Sequence, residues 1–265
     1  MRHNRSVYSI YLLYCYLSMS STYITADDNS ESDASNPYLK INKEGVKVYI
    51  YKSRNSDFAT FKAITHINAS LDTLLAIMLD IPSSTEWLDS CKKSLLIKKI
   101  SFNELYHYQI FSIPFPFQNR DFMLHSTMLH DPAAKTINIT ISAAPDFCRN
   151  KQLNQCTQVN KSNLVRVNKS IGTFKLEVKN QQTKITWIQH TDPAGNLPGW
   201  LVNQLIKNTA YTSFKNLEKL AAKEQYKYAR LKYDPKGIII GFNKPVNRLE
   251  KNSELAKRVN HSSYK

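Results

Sequence analysis

Glycine is scarce in this chain, with only 6 in 265 residues, at positions 45, 172, 195, 199, 237 and 241. A phosphate cradle of the Rossmann, kinase or P-loop type needs closely spaced glycines that no segment here supplies, so nucleotide-driven chemistry is not expected. Cysteine is rarer still. The 4 cysteines form no C-x-x-C pair and have no histidine at ligand spacing, which argues against zinc and dithiol redox catalysis. The H-E-x-x-H and G-x-S-x-G signatures are missing, as is a carboxylate pair placed for acid–base work. Acidic residues are under-represented, 21 against 36 Lys and Arg, for a net charge of +15. That surplus favours anionic partners, phospholipid headgroups or nucleic acid, without choosing between them. What remains is ordinary for a soluble globular chain: 42% apolar, 22% charged and 11% aromatic residues, enough for one large domain or two small ones.

The first residues, Met1-Arg2-His3-Asn4-Arg5, are basic; an apolar run from Val7 to Leu17 follows, then small polar residues ending at Ala26. This order is that of a signal peptide cut near Ala26, and it predicts a periplasmic or secreted protein. The run is shorter than the roughly 20 apolar residues that span a bilayer, although Tyr23 and Ile24 extend it toward a poor uncleaved anchor. Residues 27–36 form a Ser/Asp/Asn linker without apolar period. The folded domain is expected over 37–222 and a basic tail over 223–265, where 11 Lys and Arg face 4 Asp and Glu. Cys148 and Cys156 flank a short polar stretch, which in an exported chain makes them a disulfide candidate; two free thiols are the alternative.

Strands are predicted over Val46 to Tyr51, Phe58 to Ile67, Leu95 to Ile100, Leu105 to Ile113, Asp121 to Leu129, Thr136 to Ala143, Gly172 to Val178 and Lys184 to His190. Their close succession implies an antiparallel sheet. Ile137, Ile139 and Ile141 alternate with polar residues, as a half-buried strand requires. Ser70 caps a helix bearing Leu71, Leu74, Leu75 and Met78 on one face. A final long helix starts with Pro198 in its first turn and runs to about Leu220. Its stripe of Val202, Ile206, Thr209, Ser213, Leu217 and Leu220, with Ala210 and Phe214 beside it, is bulky at the ends and small in the middle. Either the gap holds a ligand, or aromatic side chains of the sheet fill it.

Gly45-Val46-Lys47-Val48-Tyr49 at the first strand, Trp87 after the short helix and Asn119-Arg120-Asp121-Phe122 opening a long strand occur in a telling order. They precede Thr186-Trp187-Ile188-Gln189-His190-Thr191-Asp192-Pro193-Ala194-Gly195-Asn196-Leu197-Pro198-Gly199-Trp200-Leu201-Val202-Asn203 at the last strand and helix start. Together they resemble the START domain family, lipid-transfer domains related to the steroidogenic acute regulatory protein, over about Tyr38 to Leu220. The insertion bearing Cys148 and Cys156 is similar to that of exported bacterial members. The resemblance implies an α+β helix-grip fold, START/Bet v 1-like, in which a curved antiparallel β-sheet wraps around the long C-terminal α-helix and encloses a cavity for one lipid-like molecule. On that basis Ile110, Phe122, Leu124, Ser126, Met128, Ile139 and Ile141 would face the cavity from the sheet. Val202, Ile206, Thr209, Ala210, Ser213 and Leu217 would close it from the helix. The loop from Asp192 through Gly195 and Pro198 to Gly199, with its glycines and prolines, would gate it.

A structural role is the expectation for each candidate catalytic group. His125 should face away from the cavity, and His107 and His190 read as structural histidines. Arg120 and Asp121 should anchor a strand end, and Trp87, Trp187 and Trp200 should pack. The expected activity is therefore binding of a lipid or other hydrophobic molecule, for transfer or sensing, by a monomer that needs no cofactor or metal. Anionic membrane is a transient partner and nucleic acid is not one. The alternatives are a cyclase or hydrolase acting on an apolar molecule, and a membrane-surface binder working through the basic tail.

Overall fold

The computed structural model describes residues 37–52, 56, 58–149, 154–159 and 163–243. The expected signal peptide, the linker and the tail beyond 243 lie outside the described residues. Ten strands share one sheet: β1 (Tyr38–Lys43), β2 (Val46–Tyr51), β3 (Thr60–Ile67), β4 (Cys91–Lys99), β5 (Glu104–Phe111), β6 (Asn119–Asp131), β7 (Thr136–Ala143), β8 (Leu164–Arg166), β9 (Lys169–Lys179) and β10 (Gln182–Asp192). The spatial order is β1-β2-β3-β10-β9-β7-β6-β5-β4, antiparallel throughout, with β8 parallel to the start of β6. Two hairpins have two-residue turns in the left-handed region, Glu44-Gly45 (φ 49° and 77°) and Asn180-Gln181 (φ 47° and 65°). Such turns match the twist of the strands they join.

The chain crosses from β3 to the far edge of the sheet through α1 (Leu71–Leu79), a 3-10 turn at Ile81–Ser83 and α2 (Ser84–Trp87). Ser70 caps α1, its hydroxyl oxygen accepting from the Thr73 N–H at 3.1 Å. After β10 the long helix α3 (Gly199–Ala221) packs on β1, β2 and β3 and on α1 and α2. Pro198 occupies the cap position just before α3 rather than its first turn. Together these elements form the curved sheet gripped around a C-terminal helix that the resemblance implies.

The second half of α3 seats Ala210, Phe214, Leu217, Leu220 and Ala221 in the main core. Facing them is an aromatic block in which Trp187 meets Phe61 edge-on at 4.8 Å and stacks on Phe174 at 4.7 Å. On the other face of the sheet, Ile97, Tyr108, Ile110 and Met123 form a separate cluster with Val159 and the bonded pair Cys148–Cys156. The expected disulfide is thus present, and the segment carrying it covers apolar side chains that would otherwise face solvent.

One domain boundary is corrected. Residues 223–243 are not a tail: α4 (Glu224–Lys227) and the hairpin of β11 (Leu231–Tyr233) and β12 (Ile239–Phe242) place Tyr226, Ala229, Leu231 and Ile239 in the main core. The Tyr226 hydroxyl donates to Asp80 Oδ2 at 2.7 Å, and Ser83 Oγ donates to the same oxygen at 2.7 Å. The Leu231 N–H donates to Asp72 Oδ2 at 3.0 Å. High charge density hid a segment that buries Tyr226, Ala229, Leu231 and Ile239 while Tyr228, Ile238 and Ile240 stay exposed.

Candidate functional site

Between α3 and strands β3, β5, β6, β7, β9 and β10 lies a cavity of about 230 Å³ whose walls are mainly apolar. Its walls follow from period-2 alternation. On β6 the even positions Phe122, Leu124 and Ser126 face inward, and Ile139 and Ile141 join them from β7. On α3 the lining residues are Val202, Leu205, Ile206 and Thr209, spaced as one face of the first half of the helix. Leu205, Ile206 and Thr209 are only half-buried although they face the protein interior, because the space they border is open.

Five expected lining residues lie elsewhere. Ile110 pairs with Asp121, an outward position of β6, and packs in the cluster that holds the disulfide. Its neighbours Leu105, His107, Gln109 and Phe111 take the inward face of β5 instead. Met128 has the inward parity but lies past the end of the cavity, in the main core. Ala210, Ser213 and Leu217 belong to the packed half of α3, and the Ser213 hydroxyl oxygen accepts from the Asp89 N–H at 2.9 Å. The small side chain admits the backbone that leaves α2. The small-residue stripe therefore divides: Thr209 borders the cavity, Ala210 packs in the main core and Ser213 meets the backbone of Asp89.

The loop between β10 and α3 carries Pro193 and Leu197 in the cavity wall, whereas Asp192, Gly195, Pro198 and Gly199 do not line it. The loop is tied down from inside. Arg120, buried on the inward face of β6, donates from Nε to the Pro193 carbonyl at 2.9 Å and from Nη2 to the Ala194 carbonyl at 2.8 Å. A third donation, from Nη1, goes to the Gln118 carbonyl. Gly195 has φ +65°, a conformation that favours glycine, and a Cβ there would lie a tight 3.3 Å from Arg120 Nη2. Burial lowers the Arg120 pKa. Asp121 points the other way, accepting from Arg166 Nη2 at 2.7 Å and from the Tyr108 hydroxyl at 2.9 Å.

Most polar groups in the cavity wall satisfy one another. Gln189 Nε2 donates to Ser170 Oγ at 2.9 Å and Thr191 Oγ1 at 3.2 Å, and the Trp187 indole donates to Gln189 Oε1 at 3.3 Å. Gln109 Nε2 donates to Ser94 Oγ at 3.3 Å. His107, fully buried, has Nε2 at 2.9 Å from Ser126 Oγ, and burial pushes its imidazole down to about 4. His125 lies on the opposite face, as expected, 2.9 Å from Glu104 Oε1. Sequence reasoning missed the inward faces of β5, α1 and α2, Trp87 among them; once Phe122 is inward the strand pairing dictates Gln109 and His107, but the pairing register is not written in either strand. Among the described residues, no three His, Cys, Asp or Glu side chains are grouped to hold a metal.

Where the β10–α3 loop borders the cavity, Leu197, Leu201 and Val202 pack with Ile113 and Phe117 of the β5–β6 connection. Two aromatic side chains beside this cluster stand in solvent: Phe115 is 96% exposed and Trp200 71%.

Comparison with known proteins follows the same geometry. The START domain profile matches residues 36–227. The chain is 27% identical over 186 residues to an uncharacterized protein of Pseudomonas aeruginosa, covering 70% of this chain and 86% of that one. It is 22% identical over 187 residues to the phosphatidylcholine transfer protein of Bos taurus, covering 68% and 82%. Among solved structures, a StAR-related lipid transfer protein fragment from Xanthomonas axonopodis superposes with a TM-score of 0.63 at 25% identity, covering 71% of this chain and 99% of that one. Human StAR-related lipid transfer protein 5 shares the fold, with a TM-score of 0.57 at 16% identity and coverage of 71% and 88%.

Proposed function

The chain belongs to the START domain family, and on that premise we propose that it carries one lipid or comparable hydrophobic molecule inside the cavity, moving or sensing it without covalent chemistry. The observation that carries this reading is the apolar space between the sheet and the first half of α3. Each buried methylene contributes about 0.8 kcal/mol, so an acyl chain of about 16 carbons gains on the order of 10 kcal/mol when enclosed, before ordering costs. Enclosure on that scale competes with a bilayer. The lipid-transfer names borne by similar proteins support the same reading.

In this proposal loading takes place at a membrane. Phe115 and Trp200 flank the mouth with exposed rings, suited to the interfacial zone, and the net charge of +15 favours an anionic surface. Such a protein works as a monomer and outside the cytosol, a placement supported by the disulfide and by the character of residues 1–26.

Native mass spectrometry of the protein purified from its own host should show a bound species of lipid mass that organic extraction releases. A protein that is empty as purified and takes up no acyl probe from vesicles contradicts the proposal.

A further inference from the structure

The match to the family ends at residue 227, yet the chain goes on folding into the hairpin of β11 and β12. A lone hairpin is marginal in water, and this one is held by Leu231 and Ile239, which enter the main core. Among the described residues its other face is uncovered: Tyr228, Tyr233, Ile238 and Ile240, on and just before the hairpin, are 46% to 64% exposed. Single exposed apolar side chains are ordinary, but four in so short a stretch mark a contact surface. The patch continues onto the sheet. Phe242 meets Phe102 at 5.5 Å, next to exposed Ile100 of the β4–β5 turn. Tyr233 shares the rim of a second, open cavity of about 560 Å³ with Val178 of β9.

Charge identifies what would lie against this surface. Arg230, Lys232 and Lys236 on the hairpin and Lys135 and Lys179 on the neighbouring turns are exposed. Asp131 and Glu224 are the exposed acids there, and Glu224 is paired with Lys227; Asp234 is half-buried and accepts from N–H groups of its own turn. The next residues in sequence, 244–265, add six Lys and Arg against two Glu. Protein–protein contacts are depleted in lysine at their centre, and a second copy of a chain with net charge +15 is repelled. Tyrosines and isoleucines set among lysines suit the headgroup zone of an anionic bilayer.

The surface also lies far from the mouth. β6 is thirteen residues long, about 40 Å at strand spacing. At its Asn119 end stand the connections that carry Phe115 and lead to Trp200. At its Asp131 end stands the hairpin, with the Tyr233 ring 5.8 Å from His130. We propose that residues 228–243, with the turns beside them, form a docking surface for an anionic bilayer separate from the mouth, so that one molecule meets two membranes about 40 Å apart. The docking surface needs only the hairpin; the bridging also rests on the reading above, in which the mouth loads at a bilayer. Ligand then exchanges at one membrane while the hairpin holds the other.

Vesicles of phosphatidylglycerol and phosphatidylcholine test this, with sedimentation reading binding and energy transfer between donor- and acceptor-labelled vesicles reading clustering. The wild-type protein should cluster them. Ile238→Ser with Ile240→Ser should abolish clustering and leave binding through the mouth. Phe115→Ser with Trp200→Ser should also abolish clustering and leave binding through the hairpin. All four changes together should weaken binding at least about tenfold. Clustering that survives the hairpin pair overturns the docking surface. Clustering lost with the hairpin pair but kept with the mouth pair overturns the bridging and contradicts loading at the mouth, and leaves the docking surface supported. Failure of the wild-type protein to take up the fluorophore N-phenyl-1-naphthylamine overturns the cavity reading alone. Hydrogen exchange of the wild-type protein with and without vesicles needs no substitution: amides of residues 228–243 should gain protection, and no gain there overturns the proposal.

Discussion

Burial holds the His107 imidazole at about 4 in the folded protein against 6.5 when exposed, which links one side chain to stability. Above about pH 6.5 both states are neutral there and nothing is lost; below it the unfolded chain takes up a proton that the folded protein refuses until about pH 4. Stability should therefore fall with acidification across that window, by about 2 kcal/mol between about pH 7 and about pH 5 from this group alone. Urea unfolding at the two pH values checks it: His107→Phe should show a pH dependence smaller by about that amount, and an unchanged dependence contradicts the account. Tyr226 is a second residue of this kind, its hydroxyl serving a buried carboxylate. Tyr226→Phe should cost about 1 to 3 kcal/mol in the same measurement. Neither role is visible in the residues' own neighbourhoods, because Ser126 lies 19 positions from His107 and Asp80 lies 146 from Tyr226.

The helix α3 and the loop before it show how far one element can be read alone. Periodicity locates the inward stripe correctly from Val202 to Leu217, but not the point where it stops bordering open space and starts packing. That point depends on α2, whose outgoing backbone rests against Ser213. The loop likewise reads as a hinge because it holds prolines and glycines, yet Arg120 fastens its first residues to β6. Loosening the fastening should make the mouth easier to open. Arg120→Gln is expected to speed release of bound N-phenyl-1-naphthylamine several-fold and to lower stability by about 2 to 3 kcal/mol, as expected for hydrogen bonds to a charged group. Stopped-flow fluorescence against excess unlabelled competitor reads the first effect; an unchanged release rate would show that the mouth opens elsewhere.

At the scale of the whole molecule, the C-terminal segment decides where the folded unit ends. Chains stopped after Ala222 lose Tyr226, Ala229, Leu231 and Ile239 from the main core and should be less stable by several kcal/mol than chains stopped after Asn243. Thermal unfolding of both truncations compares them directly, and equal stability would restore the boundary read from charge. The sequence alone indicated the alternating strands, the capped first helix and the span of the last helix, since each rests on spacing within a short stretch of chain; it offered two cysteines eight residues apart as a candidate pair, and its resemblance to a known family implied the class of the fold. Tertiary structure decided the rest: which inward faces meet another surface and which stop short of one, that Ile110 turns outward while His107 turns in, and that a basic segment completes the core. A void exists only where two surfaces from distant parts of the chain fail to touch. Its walls are therefore set by strand register and helix placement, which no single stretch of residues encodes.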